Sequence, residues 1–140
     1  MSRVLPGGSP TGAATRAIRV LVVDDHPVVR AGMVAMLSEE PGLVVVGEAA
    51  NGAEALGVIA RLMPDVVLMD LRMPVMDGAE ATARIVGAGG AGVPQVLVLT
   101  TYDTDADIVR SVEAGARGYL LKDAPPAQIA EAIQRAARGE

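Results

Sequence analysis

The segment from Val66 to Gly78, VVLMDLRMPVMDG, constrains the fold of this chain more than any other. Four apolar residues end abruptly on a carboxylate, Asp70, and a turn containing Pro74 and Gly78 follows at once. A short apolar run bounded by turn signals is typical of a strand that is buried on both faces. Asp70 is therefore expected at the carboxyl end of a buried strand, where open α/β sheets place their chemistry.

Four further apolar segments repeat this arrangement along the chain. They predict strands at Val20–Val23, Leu43–Ala49, Gln95–Thr100 and Gly118–Lys122. Helix starts between the strands are indicated by prolines and capping residues at Pro27, Asn51, Asp77, Thr104 and Pro126. Apolar strands that alternate with amphipathic helices require parallel pairing, with helices on both faces of the sheet. Right-handed crossovers then predict an α/β fold of the doubly wound (βα)₅ type.

The spacing of apolar residues also predicts which helix faces pack on the sheet. The second helix is expected to bury Leu56, Ile59, Ala60 and Met63, and the third Ala79, Ala83 and Val86. Glu80 and Arg84 would face solvent as an ion pair at i,i+4 spacing.

Length and composition exclude several classes of protein. The 140 residues suit a single domain, predicted at 18–140, after a Gly- and Pro-rich N-terminal tail at 1–17 that we expect to be disordered. A net charge of −5 without a basic cluster argues against direct nucleic-acid binding and against an anionic membrane surface. The absence of cysteine excludes disulfides and thiolate metal sites. No secretory signal or membrane-spanning run is evident, so a cytoplasmic location is expected.

Chemically useful side chains follow four of the five predicted strands. Because the carboxyl ends of parallel strands share one edge, this edge should collect Asp24, Asp25, Asp70, Thr100 and Lys122. Three carboxylates in one crevice would repel one another unless a cation joined them. Oxygen ligands favour a hard ion, and one Mg²⁺ with one lysine would neutralise three carboxylates. The edge is therefore suited to accept a phosphoryl group.

These motifs, read together, resemble the receiver domain of bacterial two-component response regulators. The motifs are DD at 24–25, MDLRMPVMDG at 69–78, LTTYD at 99–103 and GYLLKD at 118–123. The segments DDHPVVRAGM and GARGYLLKD are most similar in sequence to the receivers of NarL/FixJ-type (LuxR-family) transcription regulators. The resemblance covers roughly residues 18 to 138 and implies a flavodoxin-like, CheY-like sheet in the order 2-1-3-4-5.

The resemblance also implies a role for each residue at this edge. Asp70 would be the phosphoacceptor, attacking a phosphohistidine on a sensor histidine kinase. Asp25 and Asp70 would bind Mg²⁺ directly, Asp24 mostly through water, and the backbone carbonyl of Arg72 would be a further ligand. Such a domain phosphorylates and dephosphorylates itself as a switch and is not a multiple-turnover enzyme.

Three more residues complete the implied switch. Lys122 and the Thr100 hydroxyl would contact the phosphoryl oxygens. Thr100 and Tyr119 would then rearrange and alter the face formed by the fourth helix, fifth strand and fifth helix. Family members vary at the positions of Arg72 and Tyr102, which are thought to tune the lifetime of the phosphoryl group.

Several alternatives stay open at this point. The output, a DNA-binding domain in NarL/FixJ-type regulators, is absent from this chain, so the chain is expected to be a receiver cut from a longer regulator or a stand-alone receiver. A phosphorylation-independent interaction module is the competing class. The first and last helices could close a homodimer. His26, the sole histidine, is interpreted as a solvent-side loop residue in preference to a phosphohistidine or metal ligand.

Overall fold

A computed structural model describes residues 16–90, 92–101 and 105–139 of the chain. Five strands and five helices alternate along this described part. They are β1 (Ile18–Val23), α1 (Pro27–Ser38), β2 (Leu43–Ala49), α2 (Gly52–Leu62), β3 (Val66–Asp70), α3 (Gly78–Gly87), β4 (Gln95–Thr100), α4 (Asp105–Glu113), β5 (Gly118–Leu121) and α5 (Pro126–Ala137). The strands form one parallel sheet in the order β2-β1-β3-β4-β5, which confirms the predicted doubly wound fold.

Strand β3 lies at the centre of the sheet and is buried along its whole length. It pairs in register with β1 on one side, Val20 opposite Val66, and with β4 on the other, Asp70 opposite Leu99. Helices α1 and α5 cover one face and α2 and α3 the other, each over its own apolar core. Because β1, β3 and β4 are adjacent and parallel, their carboxyl ends open at the same edge of the sheet.

The predicted helix starts are found where the structure describes them. Asn51 accepts a hydrogen bond from the backbone N–H of Glu54 at 2.9 Å, and Asp77 accepts one from Glu80 at 2.8 Å. Pro27 and Pro126 occupy the first turns of α1 and α5, where a missing N–H costs nothing. The exposed ion pair between Arg84 and Glu80 is also present at 2.9 Å.

The predicted inward faces of α2 and α3 are partly wrong. Helix α2 buries Ala55 and Val58 in place of Ala60 and Met63, with Leu56 and Ile59 only partly covered. Helix α3 buries Ala81, Thr82 and Ile85 beside Ala79, and leaves Ala83 and Val86 exposed. Both helices carry apolar residues on two adjoining faces, so periodicity alone selects the wrong one. The sheet contacts decide which face is covered.

Some predictions lie outside the described residues. Of the N-terminal segment predicted to be a disordered tail, only residues 16 and 17 are described. Tyr102 and Thr104, the latter predicted to cap α4, are also outside the described ranges. Within those ranges, every helix is too short or too polar to cross a lipid bilayer.

Candidate functional site

Asp70 ends β3 and is buried, with 4% of its surface exposed. The loop that follows returns to its start, because the N–H of Gly78 donates a 2.8 Å hydrogen bond to the carbonyl of Leu71. A Cβ at position 78 would overlap the carbonyl oxygen of Asp70, so only glycine permits this close approach. The loop therefore fixes the backbone on which the Asp70 carboxylate is carried.

Asp24 and Asp25 follow β1, and the backbone around them is tied from several sides. The N–H of Asp24 donates to Ala49 in β2 at 3.0 Å, and its side chain accepts from the N–H of His26 at 2.8 Å. Arg30 of α1 donates to the carbonyl oxygen of Asp24 at 2.6 Å and also contacts Glu48 at 3.1 Å. These contacts turn the buried Asp24 side chain toward the edge of the sheet.

Lys122 joins the two strand ends directly. Its ammonium nitrogen lies 2.8 Å from Oδ2 of Asp24 and 3.1 Å from Oδ2 of Asp70. Its backbone N–H donates to the carbonyl of Thr100 at 2.9 Å, which holds the end of β5 beside the end of β4. The structure thus brings together the four strand ends that the sequence assigns to the site, those of β1, β3, β4 and β5.

The electrostatic balance of this cluster is unfavourable for ionised Asp70. Burial raises the pKa of Asp70, the charges of Asp24 and Asp25 raise it further, and the opposing effect of Lys122 does not cancel them. Burial alone would lower the pKa of Lys122, but its hydrogen bonds and charge pairing with Asp24 and Asp70 raise it above its ordinary value. One ammonium group is therefore too little positive charge for three carboxylates.

The unsatisfied charge and geometry fit a divalent cation. Asp24, Asp25, His26 and Asp70 each offer one ligand atom, and these atoms all lie within 4.8 Å of one another. Among the described residues, Oδ1 of Asp25 is a buried side-chain oxygen without a hydrogen bond. A buried carboxylate oxygen without a hydrogen bond is costly unless a cation takes it as a ligand. Carboxylate ligands suit hard ions, Mg²⁺ among them.

A cleft of about 150 Å³ opens beside the cluster and presents its other polar groups. It is lined by His26, Asp70, Leu71, Arg72, Thr100, Thr101 and Lys122. A single water needs about 10–15 Å³ by the same measure, so the cleft has room for a small anion such as a phosphoryl group. Thr100, buried at the end of β4, and Asp70 therefore face one shared space.

Two predicted site residues, Tyr119 and Arg72, have no role that the structure assigns. Tyr119 pairs with Val98 in the sheet and has 43% of its surface exposed, outside the lining of the cleft. The side chain of Arg72 is exposed and also lines a second cleft, of about 450 Å³, with Asp25 and Arg110. A switch role for Tyr119 and a metal-ligand role for the Arg72 carbonyl both stay predictions.

The sequence reasoning missed two contacts of the site. His26 was expected to face solvent, and its side chain is 65% exposed, yet Nδ1 lies 3.1 Å from Oδ1 of Asp25. The hydrogen bond from the Arg30 side chain to the carbonyl of Asp24 was also not predicted. The sequence indicates it only through the position of Arg30, which lies one turn into α1 and donates its backbone N–H to the carbonyl of His26 at 2.9 Å.

Comparison with known proteins finds close relatives of this architecture. Residues 20–134 match the response regulator receiver domain. The transcriptional regulatory protein LiaR of Bacillus subtilis is 46% identical over 123 residues, which are 88% of this chain and 57% of LiaR. The response regulator protein VraR of Staphylococcus aureus is 43% identical over 125 residues, or 88% of this chain and 58% of VraR.

A solved structure gives the same result in three dimensions. The signal receiver domain of NarL from Mycobacterium tuberculosis superposes with a TM-score of 0.83 at 40% identity, covering 89% of this chain and 99% of that domain. The chain spans 57–58% of the length of LiaR and VraR, so these relatives contain a further region beyond the matched part. With its acids, threonine and lysine gathered at one sheet edge, this chain belongs to the receiver domain family of two-component response regulators, and within it to the LuxR/NarL type.

Proposed function

We propose that this receiver domain accepts a phosphoryl group on Asp70 from a phosphohistidine of a sensor histidine kinase, in a Mg²⁺-dependent reaction. The observation that carries the proposal is the position of the Asp70 carboxylate. It is buried, lies 3.1 Å from the Lys122 ammonium group and shares a cleft with Thr100. This is the arrangement that in-line phosphoryl transfer requires, since the reaction depends on positioning and on neutralising charge.

The reaction follows from these groups. A carboxylate oxygen of Asp70 forms a bond to phosphorus, and the bond from phosphorus to the histidine nitrogen breaks. The electron pair of that bond returns to the imidazole of the donor. Lys122 stands where its ammonium group can shift from the Asp70 carboxylate to an oxygen of the transferred group. The Thr100 hydroxyl, on the same cleft, would donate to a second phosphoryl oxygen.

Asp24, Asp25 and Asp70 would hold Mg²⁺, with the backbone carbonyl of Arg72 as a further ligand. When bound, the ion supplies neutralising charge for the carboxylates and for the oxygens of the incoming group. Arg30 would keep the Asp24 backbone in place while this charge arrives. The raised pKa of Asp70 supports the need for such an ion, because the nucleophile must be ionised to react.

The same site would act as a switch. Once Thr100 engages the phosphoryl group, space opens behind it, and Tyr119, now 43% exposed, would turn inward. This changes the face of α4, β5 and α5, which we propose transmits the signal to a DNA-binding output domain, in keeping with the name of the relative LiaR, a transcriptional regulatory protein. A cytoplasmic setting, a homodimer and the absence of multiple-turnover catalysis belong to the same proposal.

Intact-mass spectrometry tests the phosphoryl transfer. The protein is incubated with acetyl phosphate as a small-molecule donor, with Mg²⁺ or with excess chelator. We expect one phosphoryl adduct on the wild type with Mg²⁺ and none on Asp70→Asn. Asp123→Asn is the matched control, because it removes an exposed carboxylate one residue after Lys122. Its adduct should match that of the wild type.

Two results would overturn the proposal. An adduct that persists on Asp70→Asn would move the acceptor elsewhere. No adduct on the wild type with acetyl phosphate, phosphoramidate or a phosphorylated histidine kinase would favour an interaction module that works without phosphorylation. Steady release of phosphate from an added phosphomonoester would instead indicate a phosphatase.

A further inference from the structure

The side chain of His26 approaches the acidic cluster more closely than its exposure suggests. Nδ1 lies 3.1 Å from Oδ1 of Asp25 and 3.4 Å from Oδ1 of Asp24. The same residue lines the cleft that contains Asp70 and Lys122. The backbone N–H of His26 donates a hydrogen bond to the Asp24 side chain, which holds in place the backbone that carries the imidazole at the entrance of the cleft.

The spacing of these atoms suits a single ion. Ligands about 2.1 Å from an octahedral ion are separated by about 3.0 Å when adjacent and about 4.2 Å when opposite. The imidazole nitrogen and the three carboxylates all lie within 4.8 Å of one another, so small side-chain adjustments bring them onto one ion. The oxygen nearest to Nδ1 is Oδ1 of Asp25, the buried atom without a hydrogen bond. That imidazole and that oxygen therefore face the same small space.

We infer that His26 is a ligand of the divalent cation held by Asp24, Asp25 and Asp70, and that its imidazole shifts the site toward first-row transition ions relative to Mg²⁺. This inference rests on the proposed cation site and adds to it a nitrogen ligand and a metal preference. Mg²⁺ favours oxygen ligands and retains its waters, and so gains little from an imidazole. Nickel, like zinc, copper and iron, accepts imidazole readily, so its affinity should depend on this ligand.

The composition of the chain makes this assignment testable by spectroscopy. His26 is the sole histidine, and cysteine is absent, so an untagged protein offers one imidazole and no thiolate. Pulsed electron paramagnetic resonance of the Mn²⁺-loaded protein should show the nitrogen coupling of a coordinated imidazole. The coupling should be lost in His26→Gln, which keeps a polar side chain of similar length but has no ring nitrogen.

Calorimetric titrations with Ni²⁺ and Mg²⁺ measure the preference. Loss of a partner that only orients a ligand typically weakens metal binding about 10–100-fold, so we expect His26→Gln, which removes a ligand, to weaken Ni²⁺ binding by about 10-fold or more. Mg²⁺ binding should change less than about 2-fold, because Mg²⁺ gains little from an imidazole. Asp70→Asn, which removes a shared carboxylate, should weaken binding of both ions.

The outcomes separate this inference from the proposed function. If Mn²⁺ binds the wild type without imidazole coupling, or if His26→Gln changes both affinities equally, His26 is not a ligand, and the acidic cation site stands. If neither ion binds the wild type, the cation site and the inference fall together. A circular dichroism spectrum of His26→Gln matching the wild type excludes misfolding as the cause of weakened Ni²⁺ binding.

Discussion

Replacing Lys122 by methionine removes the positive charge shared by the carboxylates while keeping most of the side-chain volume. The lysine side chain is 15% exposed and those of Asp24 and Asp70 are 4% and 6% exposed, so the affected groups are buried. For such groups, loss of one partner costs about 3–5 kcal/mol of unfolding free energy, compared with about 0–1 kcal/mol for a surface pair. We expect the larger loss at pH 7 in the absence of divalent ions.

The same variant should respond strongly to Mg²⁺. The ammonium group and a cation compete for the Asp70 carboxylate, so removing the ammonium should tighten Mg²⁺ binding. A ligand at 100 times its Kd stabilises the native state by about 2.7 kcal/mol, and Mg²⁺ should recover most of the loss. Urea unfolding followed by far-ultraviolet circular dichroism measures both effects, because the chain has no tryptophan.

Arg135→Met is the matched control. Arg135 pairs with Glu131 at 3.6 Å, but both side chains are more than half exposed, so the loss should stay within about 1 kcal/mol and be independent of Mg²⁺. If Lys122→Met lost no more than this control, the description of Lys122 as the main counter-charge of the buried carboxylates would be refuted. A Mg²⁺ effect no larger than in the wild type would refute the competition.

Three further substitutions test the backbone and the charge of the site. Asp70→Asn should stabilise the metal-free protein at pH 7, because it removes a buried carboxylate whose charged form is disfavoured by burial and by Asp24 and Asp25. The pKa of Asp70 is raised in the native state, so between pH 3.8 and that raised pKa the native state binds more protons than the unfolded chain. Wild-type stability therefore falls as the pH rises through this range. Urea titrations at pH 3 should show no stabilisation by Asp70→Asn, because Asp70 is then protonated in both states. Gly78→Ala should lower the free energy of unfolding by about 2–3 kcal/mol, because the new Cβ overlaps the Asp70 carbonyl. Gly57→Ala is the control and should raise it by about 1 kcal/mol, since position 57 lies in a helix with open space around it. Equal shifts in melting temperature would contradict the crowding at position 78. Val75 has φ = 71° and is 82% exposed. Val75→Gly should raise the free energy of unfolding by about 1 kcal/mol, because relief of about 1–2 kcal/mol of backbone strain exceeds the entropic cost of glycine. A lower melting temperature would contradict this.

The parts of the fold that were predictable depend on local rules. The apolar run that ends at Asp70 has few alternatives to a buried strand, and the side chains of Asn51 and Asp77 cap helices because of their own geometry. The burial of Val58 in place of Met63 was not predictable, since it depends on how α2 lies on the sheet.

The site divides in the same way. Parallel strands with a common edge were sufficient to predict that Asp24, Asp70 and Lys122 meet. The approach of His26 to Asp25 depends on loop conformation and a side-chain rotamer, which no periodicity encodes. The hydrogen bond from Arg30 to the Asp24 carbonyl likewise depends on the angle between α1 and β1.

The hydrogen bond that returns Gly78 to Leu71 has a consequence for how this protein can diversify. This hydrogen bond closes the base of the loop that follows β3. The carbonyl of Gly78 in turn accepts a hydrogen bond of 2.7 Å from the hydroxyl of Thr82. Between these anchors Pro74 and Val75 are exposed, whereas Met73 and Met76 pack against the apolar core under α2 and α3. Natural variation or directed evolution can therefore change the exposed surface at Pro74 and Val75, which under the proposed function an incoming phosphodonor would meet, while the closed base of the loop continues to hold Asp70.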